Sequence, residues 1–81
     1  MKENFMMEVS ARLRELRANK KMTLVEVAEN SGLTKDLISR YENDKTSIQI
    51  DNLSKILEVY NMNLAIFFNE IYAKTQNKEG E

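Results

Sequence analysis

The stretch Met22-Thr23-Leu24-Val25-Glu26-Val27-Ala28-Glu29-Asn30-Ser31-Gly32-Leu33-Thr34-Lys35-Asp36-Leu37-Ile38-Ser39-Arg40-Tyr41-Glu42-Asn43-Asp44-Lys45 carries the architecture of this 81-residue chain. It opens on Thr23 and Glu26, spaced as in the S/T-x-x-E capping box, where each side chain satisfies an orphan backbone donor at a helix start. Leu24, Val27 and Ala28 follow as an apolar stripe. Asn30-Ser31-Gly32 stops this helix, and Gly32 suits a left-handed backbone position. Another short helix begins almost at once, with Thr34 as its N-cap and Leu37, Ile38 and Tyr41 as its inward face. It ends near Asn43-Asp44.

A connection of so few residues forces the two helices to cross steeply. The crossing needs a small residue where one helix backs onto the other, a residue tolerant of positive φ in the turn, and an apolar anchor inside the second helix. Ala28, Gly32 and Ile38 supply these three, in the pattern A-x3-G-x5-I. That is the physical signature of a helix-turn-helix.

Upstream, Val9, Leu13 and Leu16 fall at i, i+4 and i+7, which predicts a first helix starting as early as Phe5 and fading into Asn19-Lys20-Lys21. Downstream, Lys45-Thr46-Ser47 reads as a loop. A fourth helix, starting somewhere from Ser47 to Gln49, carries Leu53, Ile56, Leu57 and Tyr60. Asn61-Met62-Asn63 separates it from a fifth, with Asn63 as cap and Leu64, Phe67, Phe68, Ile71 and Tyr72 as its stripe. The expectation is an all-α, compact five-helix domain over residues 5–74, with residues 1–4 and 75–81 as flexible tails.

Composition agrees and excludes much else. Hydrophobic residues make up 42% and charged residues 31%, as in a globular chain and not a disordered one. With no proline and two glycines, little interrupts a helix. The absence of Cys and His removes disulfide scaffolds, Cys/His zinc sites, thiol nucleophiles and His general bases. No cofactor, metal site or enzymatic activity is expected; Met22 and Met62 read as core filler. No apolar stretch approaches a membrane span and no signal-peptide region follows Met1, so a cytoplasmic protein without a membrane partner is expected. The net charge is −1, unlike a uniformly basic nucleic-acid binder. Residues 1–46 carry nine Lys/Arg against eight Asp/Glu and residues 47–81 three against five, so a phosphate-facing surface belongs in the first half.

The quoted stretch resembles the phage-repressor/Cro-type (XRE-like) helix-turn-helix regulators. Its Thr23-Leu24 start, Glu26-Val27-Ala28, the turn Ser31-Gly32-Leu33-Thr34 and the run Ile38-Ser39-Arg40-Tyr41-Glu42 are similar to the family pattern. The likeness extends upstream through Leu13-Arg14-Glu15-Leu16-Arg17 and downstream from Leu53 to Phe68. Three positions depart from it. Leu24 stands where the family often has a Gln that touches a phosphate, Asp44 where it has a loop glycine, and Ile48 where a proline usually opens the fourth helix. The resemblance includes phage-type repressors, restriction–modification controllers and antitoxins, and the sequence does not separate them.

The resemblance implies a sequence-specific double-stranded DNA-binding regulator acting as a homodimer on a roughly palindromic operator. By the family's docking geometry, the early residues of the third helix enter the major groove. Lys35 would then donate to guanine O6 or N7, or to a phosphate, and Arg40 offers a bidentate fork. Asp36 either accepts from cytosine N4 or favours the helix N-terminus as a first-turn acid. Thr34 caps the helix, touches a phosphate, or does both. Asn43, Lys45 and Thr46 would lie along the DNA backbone. The resemblance also pairs Arg17 with Glu42 as a structural ion pair, against the alternative of two exposed charges. Phe68, Ile71 and Tyr72 extend the apolar stripe past the point where a small core needs it, either as extra core or, the reading favoured here, as a homodimer seam. The alternative function is a protein-interaction module of the same fold, antitoxin-like or binding a partner regulator, with weak or no DNA binding.

Overall fold

The computed structural model describes the backbone of residues 2–79 and the side chains of residues 5–74. Among the described residues every regular element is helical: α1 (Lys2–Asn19), α2 (Leu24–Ser31), α3 (Lys35–Glu42), α4 (Ile50–Val59) and α5 (Leu64–Glu79). The all-α, five-helix expectation holds. Helix α4 starts just after the expected window, with Gln49 as an N-cap that makes no side-chain capping bond. The segments expected as tails continue α1 back to Lys2 and α5 on to Glu79; Met1, Gly80 and Glu81 lie outside the described residues.

The helix ends are satisfied locally. Thr23 and Glu26 form the complete capping box, Thr34 Oγ1 accepts from the Leu37 N–H at 3.1 Å, and Asn63 Oδ1 accepts from Ile66 N–H at 2.8 Å. Gly32 closes α2 at φ 80. Helices α1, α3 and α4 end alike without glycine. Lys21, Asp44 and Asn61 sit at φ 56, 55 and 56, and the next residue donates back to the last turn (Met22 to Arg17, Lys45 to Arg40, Met62 to Leu57). Such endings occupy carbonyls that the helix itself leaves unpaired.

The core takes the expected stripe of each helix. Val9, Leu13 and Leu16 of α1 are buried with Val27 and Ala28 of α2, Ile38 and Tyr41 of α3, and Leu53, Ile56 and Leu57 of α4. Leu24, Leu37, Met22, Met62 and Leu64 are half-buried against them. Helix α1 packs on α3 and α5, and α2 on α3 and α4.

Helix α5 corrects one expectation. Ile71, assigned to a dimer seam, is 2% exposed and belongs to the core of the single chain beside Phe67. The reason is α1, which reaches far enough toward its own N-terminus to cover the middle of α5. Arg12 pairs with Glu70 at 2.9 Å, Lys74 approaches Glu8 at 3.4 Å, and Phe5 stacks on Phe68 with ring centroids 6.2 Å apart. Phe68 is accordingly half-buried, whereas Tyr72 is 58% exposed.

Candidate nucleic-acid interface

Helix α3 owes its position to its buried face. Ile38 and Tyr41 are each 1% exposed, and turning them inward aims the other side of the helix at solvent. On that side lie Lys35, Asp36 and Arg40, all exposed, with Ser39 half-buried between them and the core. Asp36 and Arg40, one turn apart, form an ion pair, with Oδ2 3.1 Å from Nε. The Thr34 hydroxyl accepts the Leu37 N–H, which leaves its own hydrogen free to donate. It can cap the helix and meet an external acceptor together.

Beyond α3, Asn43 and Lys45 are exposed and Thr46 is half-buried. Asn43 Nδ2 donates back to the Ser39 carbonyl at 2.8 Å, so its amide serves the helix end. Lys45 is held by its backbone N–H on the Arg40 carbonyl at 2.9 Å, leaving the ammonium at the surface. The structure thus puts Thr34, Lys35, Asp36, Arg40, Asn43 and Lys45 on the exposed rim of one short helix and its exit loop, with Thr46 tucked partly inward.

What fastens this helix is a clasp from α1. Arg17 grips Glu42 in a fork, Nε to Oε2 at 2.8 Å and Nη2 to Oε1 at 3.0 Å, and Arg17 Nη1 also donates to the Met22 carbonyl at 3.1 Å. Glu42 is 3% exposed, so the alternative of two exposed charges is set aside. Hydrogen bonding to Glu42 raises the Arg17 pKa above its usual value, despite burial acting the other way. Two further residues of α1 complete the clasp, and sequence reasoning missed both. Ser10 Oγ donates to the Tyr41 carbonyl at 2.8 Å, and Arg14 Nη1 donates to the Glu42 carbonyl. With Asn43 and Lys45 serving the Ser39 and Arg40 carbonyls, each of the last four carbonyls of α3 has a partner. The available signal was the spacing of Ser10, Arg14 and Arg17 at i, i+4 and i+7, a polar stripe beside the apolar one.

The arrangement defines a domain that fastens the second helix of a helix-turn-helix to its core and turns that helix's polar side to solvent. Residues 13–67, more than half of the chain, match the family described as Helix-turn-helix, and the chain belongs to that family of XRE-type helix-turn-helix transcription regulators. Among curated proteins it is 44% identical over 59 residues to the HTH-type transcriptional regulator PuuR of Escherichia coli (strain K12), and equally to that of Shigella flexneri. The match takes in 73% of this chain and 32% of PuuR, so the chain spans about a third of the length of these relatives. Among solved structures it is similar in fold to the wild-type restriction-modification controller protein C.Esp1396I, with TM-score 0.78, 24% identity, and 88% and 91% of the two chains covered. It is likewise similar to the clp gene regulator ClgR from Corynebacterium glutamicum, with TM-score 0.78, 22% identity, and 95% and 81% covered. No helix among the described residues is long and apolar enough to cross a membrane.

Proposed function

We propose that this chain is a sequence-specific, double-stranded DNA-binding transcriptional regulator that works in the cytoplasm as a homodimer on a roughly palindromic operator. The observation that carries the reading is the exposed edge Lys35–Asp36–Arg40 of a helix anchored by buried Ile38 and Tyr41. Helix α3 lies in the major groove. Lys35 and Arg40 donate to base edges, Asp36 borders them, and Thr34, Asn43, Lys45 and Thr46 meet the sugar-phosphate backbone. Two copies place two such helices about 34 Å apart, one helical turn of DNA.

An apolar hollow of about 100 Å³ supports the homodimer. Phe5, Met6, Ile48, Ile50 and Phe68 line it, Ile50 is 58% exposed, and Tyr72 lies one turn beyond Phe68 on the same face of α5. Without Ile71, the seam is Phe68 and Tyr72 with Ile50. A gel-shift series against genomic fragments at rising salt tests the function. The reading requires salt-sensitive binding that survives competitor DNA at selected sites.

Asp44 favours a second reading, a protein-interaction module of the same fold. This exposed carboxylate stands in the loop that would face the DNA backbone. A chain that binds no DNA at low salt yet forms a stable complex with a partner protein fits that reading instead.

A further inference from the structure

Asp36 is an unfavourable residue for a DNA-facing edge, because a carboxylate there meets phosphates of its own sign. Its surroundings give it a purpose. It lies one helical turn before Arg40, and its Oδ2 is 3.1 Å from Arg40 Nε. Both side chains are largely exposed, 77% for Asp36 and 58% for Arg40, so much of the pair is open to an external partner. An unsupported arginine at such exposure samples many rotamers, and ordering it on a base costs that freedom. The closest approach of the carboxylate is to Nε. The guanidinium also carries Nη1 and Nη2, whose N–H groups form the other half of its donor fork.

We propose that Asp36 is a positioning residue for Arg40, and that the two read DNA as one unit. Asp36 holds the Nε side, and Arg40 presents its Nη1–Nη2 end to the two acceptors of a guanine, O6 and N7. The second carboxylate oxygen of Asp36 faces the neighbouring base pair. There it accepts from an amino group, cytosine N4 or adenine N6, and repels the acceptor edges of guanine and thymine. Pairing also neutralises Asp36 toward the phosphates, so the residue selects sequence at a modest cost in overall affinity. The proposal rests on the DNA-binding reading above and adds which base pair this unit selects, and how.

The test is selection of bound duplexes from a random library by four proteins: wild type, Asp36→Ala, Asp36→Glu and Arg40→Ala. Folding is checked by thermal melting, since both residues are surface-exposed. Wild type is expected to enrich a guanine in each half-site, and Arg40→Ala to lose it. Asp36→Ala is expected to bind random duplex at least as tightly as wild type, while its preference for that guanine falls about fivefold or more and the neighbouring position relaxes. Asp36→Glu, which keeps a carboxylate at i, i+4 from the arginine, should restore most of the guanine preference. An unchanged guanine preference in Asp36→Ala, with a clear wild-type motif, overturns this proposal alone. Loss of the preference in Asp36→Glu to the same degree as in Asp36→Ala also overturns it. A wild type that enriches no sequence overturns it together with the DNA-binding reading.

Discussion

Arg17 on α1 and Glu42 at the end of α3 meet in a two-pronged contact, 2.8 and 3.0 Å long, across 25 residues of sequence. Glu42 is almost wholly buried while Arg17 keeps about a quarter of its side chain exposed. Removing the arginine therefore strands a buried charge, whereas removing a surface cation strands nothing. Arg17→Ala is expected to cost about 3–5 kcal/mol at the upper end, against under about 0.5 kcal/mol for the exposed Lys20→Ala. Thermal or urea melting compares them, and equal midpoints would reduce the clasp to decoration.

Lys35→Ala and Arg40→Ala should leave the melting temperature close to that of wild type, since neither residue touches the core. Each should weaken binding to a selected operator by about 1–3 kcal/mol if it meets a base, with relaxed preference at one base pair. Titration of wild type and variants against the operator and a scrambled duplex reads both effects. Full affinity in both variants would remove α3 from the interface.

Asp44 holds a left-handed conformation, φ 55, in the exit loop of α3. A side chain there costs more than glycine, although Asp tolerates the region better than most residues. Asp44→Gly is expected to raise stability by about 0.5–1 kcal/mol. By removing a negative charge near the proposed phosphate path, it should also tighten DNA binding at low salt. Tighter binding with no gain in stability would leave only the charge argument standing.

Tyr60 is 3% exposed, its hydroxyl has no hydrogen-bond partner, and burial aided by the Glu42 charge pushes its pKa up to about 12. A raised value means that the folded state favours the neutral phenol. The stability this contributes is fully present below the ordinary phenol range near 10 and is lost as the pH rises through about 12. Unfolding curves between pH 9 and 12 should therefore fall more steeply for wild type than for Tyr60→Phe. Near neutral pH, Tyr60→Phe should be neutral or stabilising by up to about 1 kcal/mol, because it deletes an unpaired buried hydroxyl.

Ile71 and Tyr72 are neighbours in sequence with opposite fates, 2% and 58% exposed. Ile71→Glu buries an unpaired charge and should unfold the domain or destabilise it by several kcal/mol. Tyr72→Glu should stay folded and lower the association of the proposed homodimer. Circular dichroism and sedimentation equilibrium separate the two outcomes. A Tyr72→Glu protein that dimerises like wild type would move the seam off this face of α5.

Local rules made most of the fold legible. The capping box at Thr23 and Glu26, the caps at Thr34 and Asn63, and the 3.6-residue stripes each act within a few residues of chain. The start of α4 is less legible because no strong cap marks it: Gln49 makes no side-chain capping bond. Of the proposed interface, Lys35, Asp36 and Arg40 are what the resemblance implies, and their exposure agrees with the inward phase of Ile38 and Tyr41. The ion pair within that edge depends on rotamers, which spacing permits and does not dictate.

By itself the sequence determined that this chain is all-helical, where its tight turn lies, and which face of each short helix turns inward, because capping, φ preference and periodicity are properties of neighbouring residues. Tertiary structure alone decided that Ser10 and Arg14 serve the carbonyls of Tyr41 and Glu42, 31 and 28 residues away. It also decided that Ile71 is core and Tyr72 is not. The α5 stripe is continuous in sequence, and how much of it is buried depends on how far α1 runs alongside. That overlap is set by the packing of two helices from opposite ends of the chain.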